Sequence, residues 1–189
     1  MKLREYQNNI AIQAANKLTA FGCCYLSMEC RTGKTLTALY AADKFNAKRV
    51  LFITKLKAIP SVKNDYIALQ PSFKLEVVNF ESSHKVTGKY DLVIIDEAHS
   101  LGAYPKPSKR TQEIRTICEG LPVLYLSGTP SPESYSQLYH QFWVCSKSPW
   151  KSYKSFYKWA KEYVYTRQKR VNGYLINDYS CANKPKIDN

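Results

Sequence analysis

The residues best suited to chemistry in this chain of 189 residues stand in the segment MECRTGKT, which runs from Met28 to Thr35. The order glycine, lysine, threonine at its end is typical of a phosphate-binding loop, in which backbone N–H groups and a helix N-terminus face anionic phosphates. Lys34 would add a mobile cation, and the Thr35 hydroxyl could ligate Mg²⁺. The usual pattern has glycine where Met28 stands, so this segment alone could instead be a glycine turn that caps a helix.

A pair of carboxylates follows an apolar run further along the chain. In the sequence DLVIIDEAH at 91–99, Asp96 and Glu97 stand where a buried strand is predicted to end. Ligands of open α/β sheets bind at the carboxyl ends of the strands. Asp96 could therefore hold Mg²⁺ through its water shell, and Glu97 could orient and deprotonate a water that attacks a γ-phosphate. The alternative is a solvated acidic pair, which the loop pattern upstream disfavours.

A third segment, LYLSGTP at 124–130, again ends an apolar run in small polar residues. By itself it predicts a turn. It indicates a functional role only when it is considered together with the two preceding segments.

These segments have to be positioned by an α/β fold. Short apolar runs alternate with amphipathic stretches along the chain, which is typical of a mostly parallel central sheet with helices on both faces. Periodicity predicts strands at 23–28, 50–54, 75–79, 92–96 and 123–126, and helices at 4–19, 34–45, 59–68, 109–119, 133–142 and 152–165. The residues from 172 onward are predicted to form a polar tail.

The charge of the chain favours a polyanionic partner. Lys and Arg number 28 against 15 Asp and Glu, a net charge of +13, although generic solubilising charge is an alternative explanation. From Lys147 onward the chain has ten basic and three acidic residues, and nine of its 25 aromatic ones. This basic and aromatic stretch could bind nucleic acid through stacking and phosphate contacts.

Within that stretch, helical spacing favours packing over binding. One face of the predicted helix has the spacing i, i+3, i+4, i+7 of a side that packs against a core, and its residues are Tyr153, Phe156, Tyr157 and Ala160. The solvent side would hold four lysines: Lys151, Lys154, Lys158 and Lys161.

The composition argues against a secreted, membrane or zinc-stabilised protein. With 44% hydrophobic and 23% charged residues, the chain is typical of a globular domain. No run approaches the roughly 20 apolar residues of a membrane span, and the N-terminus lacks the apolar region of a signal peptide. The six cysteines lack zinc-ligand spacing. We therefore expect reduced thiols, several of them buried, in a cytoplasmic protein without a membrane partner.

Together these segments resemble the first RecA-like domain of a superfamily 2 DNA or RNA helicase, the ATP-binding domain with a DEAH box. The similarity runs from Leu3 to about Val164. Its motifs are the adenine-recognition segment LREYQ at 3–7, motif I at 28–35, motif II (DEAH) at 96–99 and motif III (SGTP) at 127–130.

Three further segments, 79–82, 100–102 and 154–156, are most similar to the chromatin-remodeller-like (SWI/SNF-type) branch of these helicases. Small helicases of that branch are frequently encoded by bacteriophages. The resemblance therefore implies the cytoplasm of a bacterial or phage-infected cell.

The resemblance implies ATP and Mg²⁺ as cofactors. Gln7 would hydrogen-bond the adenine edge, while the Arg4 guanidinium stacks on the ring. The phosphates would be held by the loop residues Arg31, Thr32, Gly33, Lys34 and Thr35, and the metal by Thr35 and Asp96. The catalytic residues would be Lys34, Asp96 and Glu97, with Glu97 as the general base.

The resemblance also implies residues that couple the nucleotide to nucleic acid. His99 would link motif II to Ser127 and Thr129 of motif III, although a histidine that is simply hydrogen-bonded in the core is the alternative. Lys55 and Lys57 would bind the phosphate backbone, of DNA in preference to RNA, without sequence specificity and in a salt-sensitive manner. Residues 82–85 are a second candidate for these contacts.

The predicted organisation is a RecA-like ATP-binding domain at 1–147 and a basic, aromatic helical extension with a polar tail at 148–189. The resembled helicases hydrolyse ATP between two RecA-like domains, and fewer than 60 residues follow Pro130, too few for a second one. We therefore expect a helicase or translocase domain whose ATP hydrolysis is weak until a second RecA-like domain completes it, in cis or in trans. The alternative is a non-catalytic module that keeps the fold and binds nucleic acid or a partner protein.

Overall fold

A five-stranded parallel sheet lies at the centre of the protein. The computed structural model of the chain describes residues 3–29, 31–183 and 186–187; Cys30, inside the predicted phosphate loop, and parts of the predicted polar tail lie outside the described residues. The strands are β1 (Cys23–Ser27), β2 (Arg49–Thr54), β3 (Lys74–Asn79), β4 (Leu92–Ile95) and β5 (Val123–Ser127). Their order is β1-β5-β4-β2-β3, and every neighbouring pair is parallel, as the sequence predicts.

Five α-helices cover the two faces of this sheet. One face is covered by α1 (Glu5–Phe21), α2 (Lys34–Lys44) and α3 (Ile59–Leu69). The other face is covered by α4 (Lys109–Ile117) and α5 (Gln137–Trp143). Each of these helices overlaps a predicted one, and the predicted α/β layering is confirmed.

Alternation of side chains along the strands divides the core into two layers. Phe52 packs with Leu39 of α2 in the layer under α1, α2 and α3. Its neighbour Ile53 packs with Ile114 of α4 in the opposite layer, and all four side chains are fully buried. A parallel sheet that is covered on both faces needs apolar side chains on both, which explains why its strands are continuous apolar runs in the sequence.

The parallel arrangement brings the ends of four neighbouring strands to one side of the sheet, which we call the carboxyl edge. The loop after β1 leads into α2, and Lys55 follows β2. Asp96 follows β4, and Gly128 follows β5. Because β1, β5, β4 and β2 are consecutive across the sheet, segments that are far apart in the sequence become neighbours there.

Beyond the sheet, the chain forms a short helix and a hairpin. The helix α6 (Phe156–Tyr163) begins after Ser155, whose Oγ accepts a hydrogen bond from the Lys158 N–H as an N-cap. The strands β6 (Arg167–Val171) and β7 (Tyr174–Asp178) then pair antiparallel. The predicted helix is confirmed but is shorter at both ends, and the prediction of a tail from 172 onward is wrong where β7 lies.

The hairpin turn explains why this ribbon forms. Asn172 and Gly173 both have positive φ, 49° and 83°, which matches the two-residue turn whose twist suits antiparallel strands. The Asn-Gly pair at this position is a known hairpin signature in sequences, and it could have predicted β6 and β7.

The helix α6 packs through a face that differs from the predicted one. Phe156, Trp159 and Ala160 are buried, and Trp159 is 0% exposed, whereas Tyr157 is 44% exposed. The spacing i, i+3, i+4 is therefore satisfied by a set that includes Trp159 and leaves Tyr157 out. The packing interpretation itself is confirmed, and the predicted solvent side is exposed at Lys151, Lys154, Lys158 and Lys161.

Two predictions from the composition can be compared with the fold. Among the described residues, no helix combines the length and apolar character that crossing a membrane requires. The cysteines in this part of the chain are unpaired thiols. Cys24, Cys118 and Cys145 are buried, as expected for several of the six.

Candidate nucleotide site at the carboxyl edge

The described residues of the loop between β1 and α2 are held by a backbone hydrogen bond to β5 and by a threonine side chain of the loop. The Met28 N–H donates to the Ser127 carbonyl (3.2 Å), and the Thr32 Oγ1 donates to the Glu29 carbonyl (2.7 Å). Helix α2 then begins at Lys34. The first N–H groups of an α-helix have no partner within the helix, so the N-terminus of α2 is suited to bind an anion.

Gly33 is the residue that lets the chain turn into α2. Its φ of 78° lies in the left-handed region, which favours glycine. A Cβ at this position would lie 2.3 Å from the Gln7 Nε2, closer than real contacts allow. Backbone conformation therefore favours glycine here, and any larger residue would also have to displace the Gln7 amide.

The Lys34 side chain reaches back over the loop. Its Nζ donates to the Met28 carbonyl at 3.0 Å, so the ammonium lies on the concave side of the loop instead of pointing into solvent. Thr35, the next residue, is half-buried in the first turn of α2. Both residues predicted to hold phosphate and metal therefore stand at the start of the same helix.

Gln7 ties the start of α1 to this loop. Its side chain is 6% exposed; its Oε1 accepts from the Arg4 N–H (2.9 Å) and its Nε2 donates to the Thr32 carbonyl (3.2 Å). The Tyr6 hydroxyl donates to the same carbonyl at 2.8 Å. An amide has two donor hydrogens and an oxygen with two lone pairs, so these two contacts leave Gln7 one donor hydrogen and one lone pair.

Asp96 accepts two hydrogen bonds at the carboxyl edge. Its Oδ2 accepts from the Thr54 hydroxyl (2.8 Å), and its Oδ1 accepts from the Glu97 N–H (3.0 Å). Burial raises the pKa of Asp96 above its ordinary value, while the Thr54 hydrogen bond and the charge of Lys34 act in the opposite direction. The charge of the Lys34 ammonium therefore reaches the Asp96 carboxylate across the carboxyl edge.

Glu97 is surrounded by two basic side chains. Its Oε2 lies 3.2 Å from the His99 Nδ1, and its Oε1 lies 3.9 Å from the Lys55 Nζ. Lys55, predicted to contact nucleic acid, thus also lies beside the acidic pair. Lys57, its companion in that prediction, is exposed in a short 3₁₀ turn, Leu56–Ala58.

His99 connects the acidic segment to the segment after β5. Its Nδ1 lies 3.0 Å from the Ser127 Oγ, and the Ser127 Oγ accepts from the Thr129 N–H at 3.1 Å. Ser127 is fully buried. The three residues predicted to couple the site are thus joined by direct contacts, Thr129 through its backbone and not through its hydroxyl.

Two residues of this edge that are not glycine have positive φ. Arg31, which is exposed, has a φ of 65°, and Glu97 has a φ of 52°. Such conformations cost on the order of 1–3 kcal/mol each, and they cluster where function requires a particular geometry. Both lie in segments that sequence analysis assigned to nucleotide chemistry.

Sequence reasoning missed Tyr25 at this edge, and it gave Thr54 and Tyr6, which lie in segments it singled out, no role of their own in the nucleotide site. Thr54 is fully buried beside Asp96, and its position at the end of a predicted strand could have identified it. Tyr25 lies on β1, where its hydroxyl donates to the Gln141 Oε1 (2.7 Å). Burial raises the pKa of Tyr25, and the Glu97 charge adds to that rise. No pattern in the sequence distinguishes Tyr25 from an ordinary strand residue.

The oxygen donors at this edge fit a magnesium ion that is bound together with a nucleotide. Asp96 offers a carboxylate that burial has already removed from water, and Thr35 offers a hydroxyl at the start of α2. Mg²⁺ typically takes one or two carboxylates, substrate phosphates and several waters, and does not need a full cage of protein ligands.

Comparison with known proteins supports the fold. No protein-family model matches the chain, and no curated protein matches it. Among solved structures, the chain is similar to a nuclease-deletion mutant of the Type ISP restriction-modification enzyme LlaGI, in complex with a DNA substrate mimic. The TM-score is 0.50 and the identity 16%, over 69% of this chain.

The similar region amounts to 18% of the restriction enzyme, so this chain corresponds to less than a fifth of its length. At this identity the similarity concerns the fold alone. The parallel sheet with helices on both faces is consistent with a RecA-like fold, and the fold class predicted from the sequence is confirmed.

Proposed function

We propose that this chain is the ATP-binding domain of an ATP-dependent nucleic-acid helicase or translocase of superfamily 2, with a DEAH box and a kinship to the SWI/SNF-type branch found in bacteriophages. One observation carries the proposal. Lys34 and the Asp96–Glu97 pair come from segments more than 60 residues apart in the sequence, and the charge of Lys34, in the first turn of α2, acts on the pKa of Asp96 at the carboxyl edge.

Each residue has a task in ATP binding. The loop N–H groups and the α2 N-terminus would bind the phosphates, and the Lys34 ammonium would exchange the Met28 carbonyl for a phosphate oxygen. Thr35 and Asp96 would hold Mg²⁺, which supplies charge neutralisation on the phosphates when bound. Gln7 and Arg4 would contact the adenine, with Arg31 and Thr32 completing the loop.

Hydrolysis of ATP requires a general base, and coupling it to movement requires contacts that connect this base to the rest of the domain. Glu97 would orient the attacking water and accept its proton on a carboxylate oxygen. The Glu97–His99–Ser127 contacts then lead to the Thr129 backbone. A proton or charge change at Glu97 would thereby alter the segment after β5.

The partner proposed for this domain is nucleic acid, with DNA favoured. The net charge of +13 favours a polyanion, and the similar restriction enzyme was solved with a DNA substrate mimic. Lys57 and Lys55 would bind the phosphate backbone, and the Lys55 side chain, whose ammonium lies 3.9 Å from Glu97, is 60% exposed. A second RecA-like domain, in cis or in trans, would supply an arginine finger worth about 10³–10⁵ in rate.

Nucleotide binding by the 189-residue chain tests the proposal. We expect Lys34→Ala to weaken binding of a fluorescent ATP analogue in the presence of Mg²⁺ by about tenfold or more, because a charge-assisted hydrogen bond contributes about 1.5–3 kcal/mol. Lys44→Ala, at the opposite end of the same helix, is the matched control and should bind normally. Equal affinity of all three proteins would favour the alternative, a non-catalytic module that binds nucleic acid or a partner protein.

A further inference from the structure

Two thiols that are far apart in the sequence lie against each other in the folded chain. Cys23 opens β1, and Cys145 follows α5, more than 120 residues later. The Cys145 Sγ lies 3.7 Å from the carbonyl oxygen of Gly22, the residue bonded to Cys23. The Cys23 Sγ lies 3.6 Å from the carbonyl oxygen of Lys147, two residues beyond Cys145. Each sulfur therefore lies against the backbone beside the other cysteine.

The two sulfur atoms also interact directly. A hydrogen bond between the two side chains raises the pKa of Cys23, and the same bond lowers the pKa of Cys145. The Lys147 N–H donates a second hydrogen bond to the Cys145 Sγ, at 3.4 Å. Together with the Lys147 charge, these two bonds outweigh burial and lower the pKa of Cys145 to about 7, from 9.0. At neutral pH the site therefore stabilises a thiolate at Cys145, with the Cys23 thiol as its donor.

The fold separates this pair from two other described cysteines. Neighbouring residues of a strand point to opposite faces of the sheet, and Cys24 packs under α1, α2 and α3, whereas Cys23 packs on the side of α4 and α5. Cys118 is in the same layer as Cys145 but is 0% exposed, and burial raises the pKa of its thiol. Cys24 and Cys118 therefore provide internal controls for any chemistry of the pair.

The pair can be approached from one side. Cys23 is half-buried, whereas Cys145 is 2% exposed, so a reagent in solution reaches Cys23 first. The exposed Lys147 lies beside this approach, because a Cβ added to Gly22 would lie 2.1 Å from the Lys147 Cδ. A positive charge next to the sulfur atoms favours an anionic reagent.

We propose that Cys23 and Cys145 form a reversible disulfide by exchange with an anionic low-molecular-weight disulfide, which links the start of β1 to the segment after α5. Disulfides are rare in reducing compartments, and those that form there are mostly transient and redox-sensing. The proposal is therefore compatible with thiols that are reduced in the resting protein. It does not rest on the proposed ATP site, and Lys34→Ala should form the same disulfide.

The exchange takes two steps, and each step displaces one thiolate. The Cys145 thiolate takes the proton of Cys23 while the Cys23 Sγ attacks one sulfur of the reagent, whose S–S bond breaks. The half that leaves takes this proton from Cys145. The Cys145 thiolate then attacks the Cys23 Sγ, and the second half of the reagent leaves and takes a proton from water. Two protein thiols are thereby oxidised, and one reagent disulfide is reduced to two thiols.

Peptide mapping of the 189-residue chain after incubation with oxidised glutathione tests the proposal. We expect a loss of two hydrogen atoms in the intact mass and one linked pair of peptides, which contain Cys23 and Cys145, both reversed by dithiothreitol. Cys24→Ser is the matched control and should form the same link, whereas Cys23→Ser should not. The map of the unmodified chain needs no variant, so its result does not depend on how a variant folds.

Three results of this mapping would overturn the proposal. They are the absence of any reaction, a glutathione adduct that persists without an internal link, and a link between Cys118 and Cys145 in place of the expected one. Each would show that Cys23 and Cys145 do not act together on the reagent.

The pH dependence of the exchange tests the activation of the pair. Because the thiolate is the nucleophile, the rate of linkage should reach half its maximum near pH 7, the pKa of Cys145. A rate that reaches half its maximum only near pH 9, the value of an ordinary thiol, would mean that the two hydrogen bonds to Cys145 do not activate the pair, and the proposed mechanism would be wrong.

Thermal denaturation tests whether the disulfide fits the native fold. A link that closes a loop of more than 120 residues restricts mainly the unfolded chain. We expect the oxidised protein to unfold at a temperature about 5–15 °C higher than the reduced one. The shift should vanish with dithiothreitol and should not occur in Cys23→Ser. A lower unfolding temperature for the linked protein would show that the disulfide distorts the fold, against the proposal.

Discussion

The carboxyl edge of the sheet and the hairpin hold their polar side chains in opposite ways. At the carboxyl edge, Gln7, Asp96 and Ser127 are each bonded to backbone or to another side chain, and two of them are buried. In the hairpin, Arg170 and Tyr174 lie on exposed strands. A fixed constellation suits a small ligand whose atoms must be placed accurately. An exposed ribbon does not fix its side chains in this way.

The test with the largest expected effect concerns α6, the helix that supports the hairpin. Trp159 is fully buried, and its ring lies 5.3 Å from Tyr139 of α5 and 5.2 Å from Tyr163. We expect Trp159→Ala to lower the free energy of unfolding by about 3–5 kcal/mol. Phe52→Ala, in the central strand β2, should have a similar cost.

Chemical denaturation followed by circular dichroism and by intrinsic fluorescence checks this expectation. A single transition in both variants would mean that α6 and the sheet unfold together. If Trp159→Ala instead produced a separate early transition and left the main one in place, α6 would unfold apart from the sheet, together with the hairpin, whose Tyr179 ring lies 5.3 Å from Phe156 of α6.

A second test concerns His140, which lies between the two regions. Its Nδ1 is 2.7 Å from the Ala103 carbonyl, to which it donates, and its ring stacks 5.8 Å from Phe156. Burial lowers the pKa of His140 to about 4 from its ordinary value of 6.5. Between about pH 4 and pH 6.5, His140 is therefore neutral in the folded protein and protonated in the unfolded chain.

The difference between the pKa of His140 in the folded and unfolded states sets the direction in which stability changes with pH. Stability is complete above pH 6.5, falls as the pH drops through the range from 6.5 to about 4, and levels off below it, with a total loss of up to about 3 kcal/mol from this residue. Unfolding free energies at several pH values measure the slope. His140→Asn keeps a donor for Ala103 without a titrating group, and a slope unchanged in this variant would assign the effect to other residues.

Sequence reasoning reached the sheet and the carboxyl edge because both depend on periodicity and strand order. The runs that contain Phe52, Ile94 and Leu124 are apolar on both faces, which predicts buried parallel strands. Once the strands are parallel, Asp96 and Ser127 must share an edge with the loop before Lys34. Their roles in ATP chemistry stay predictions, because similarity at 16% identity concerns the fold alone.

Other parts of the structure depend on tertiary contacts or on local signals that the periodicity of the sequence does not show. The contact of Tyr25 with Gln141 depends on how α5 packs against β1, and the contact of Thr54 with Asp96 depends on the pairing of β2 with β4. Tyr157 was misplaced because two overlapping sets of residues in α6 satisfy helical spacing, and only tertiary packing selects the set with Trp159. The hairpin was missed, although the Asn-Gly pair marks its turn, because its strands are exposed on both faces and lack the alternation that marks a buried face.

The test with the smallest expected effect compares two glycines with left-handed backbone conformation, one in each region. Gly33 and Gly173 have φ of 78° and 83°, so alanine at either pays a backbone cost of about 1–2 kcal/mol. At Gly173 nothing lies within 4 Å of the added Cβ, whereas at Gly33 the Gln7 Nε2 lies 2.3 Å away. Gly33→Ala should therefore displace Gln7, and weaken nucleotide binding and global stability together.

Gly173→Ala should strain the hairpin turn alone, because an exposed ribbon can open without disturbing the core. We expect faster amide hydrogen exchange confined to β6 and β7, a denaturation midpoint almost unchanged, and nucleotide affinity equal to that of the unmodified chain. If Gly173→Ala shifted the global transition as much as Gly33→Ala does, the hairpin would be part of the cooperative core. The contrast between a fixed site and a projecting ribbon would then be wrong.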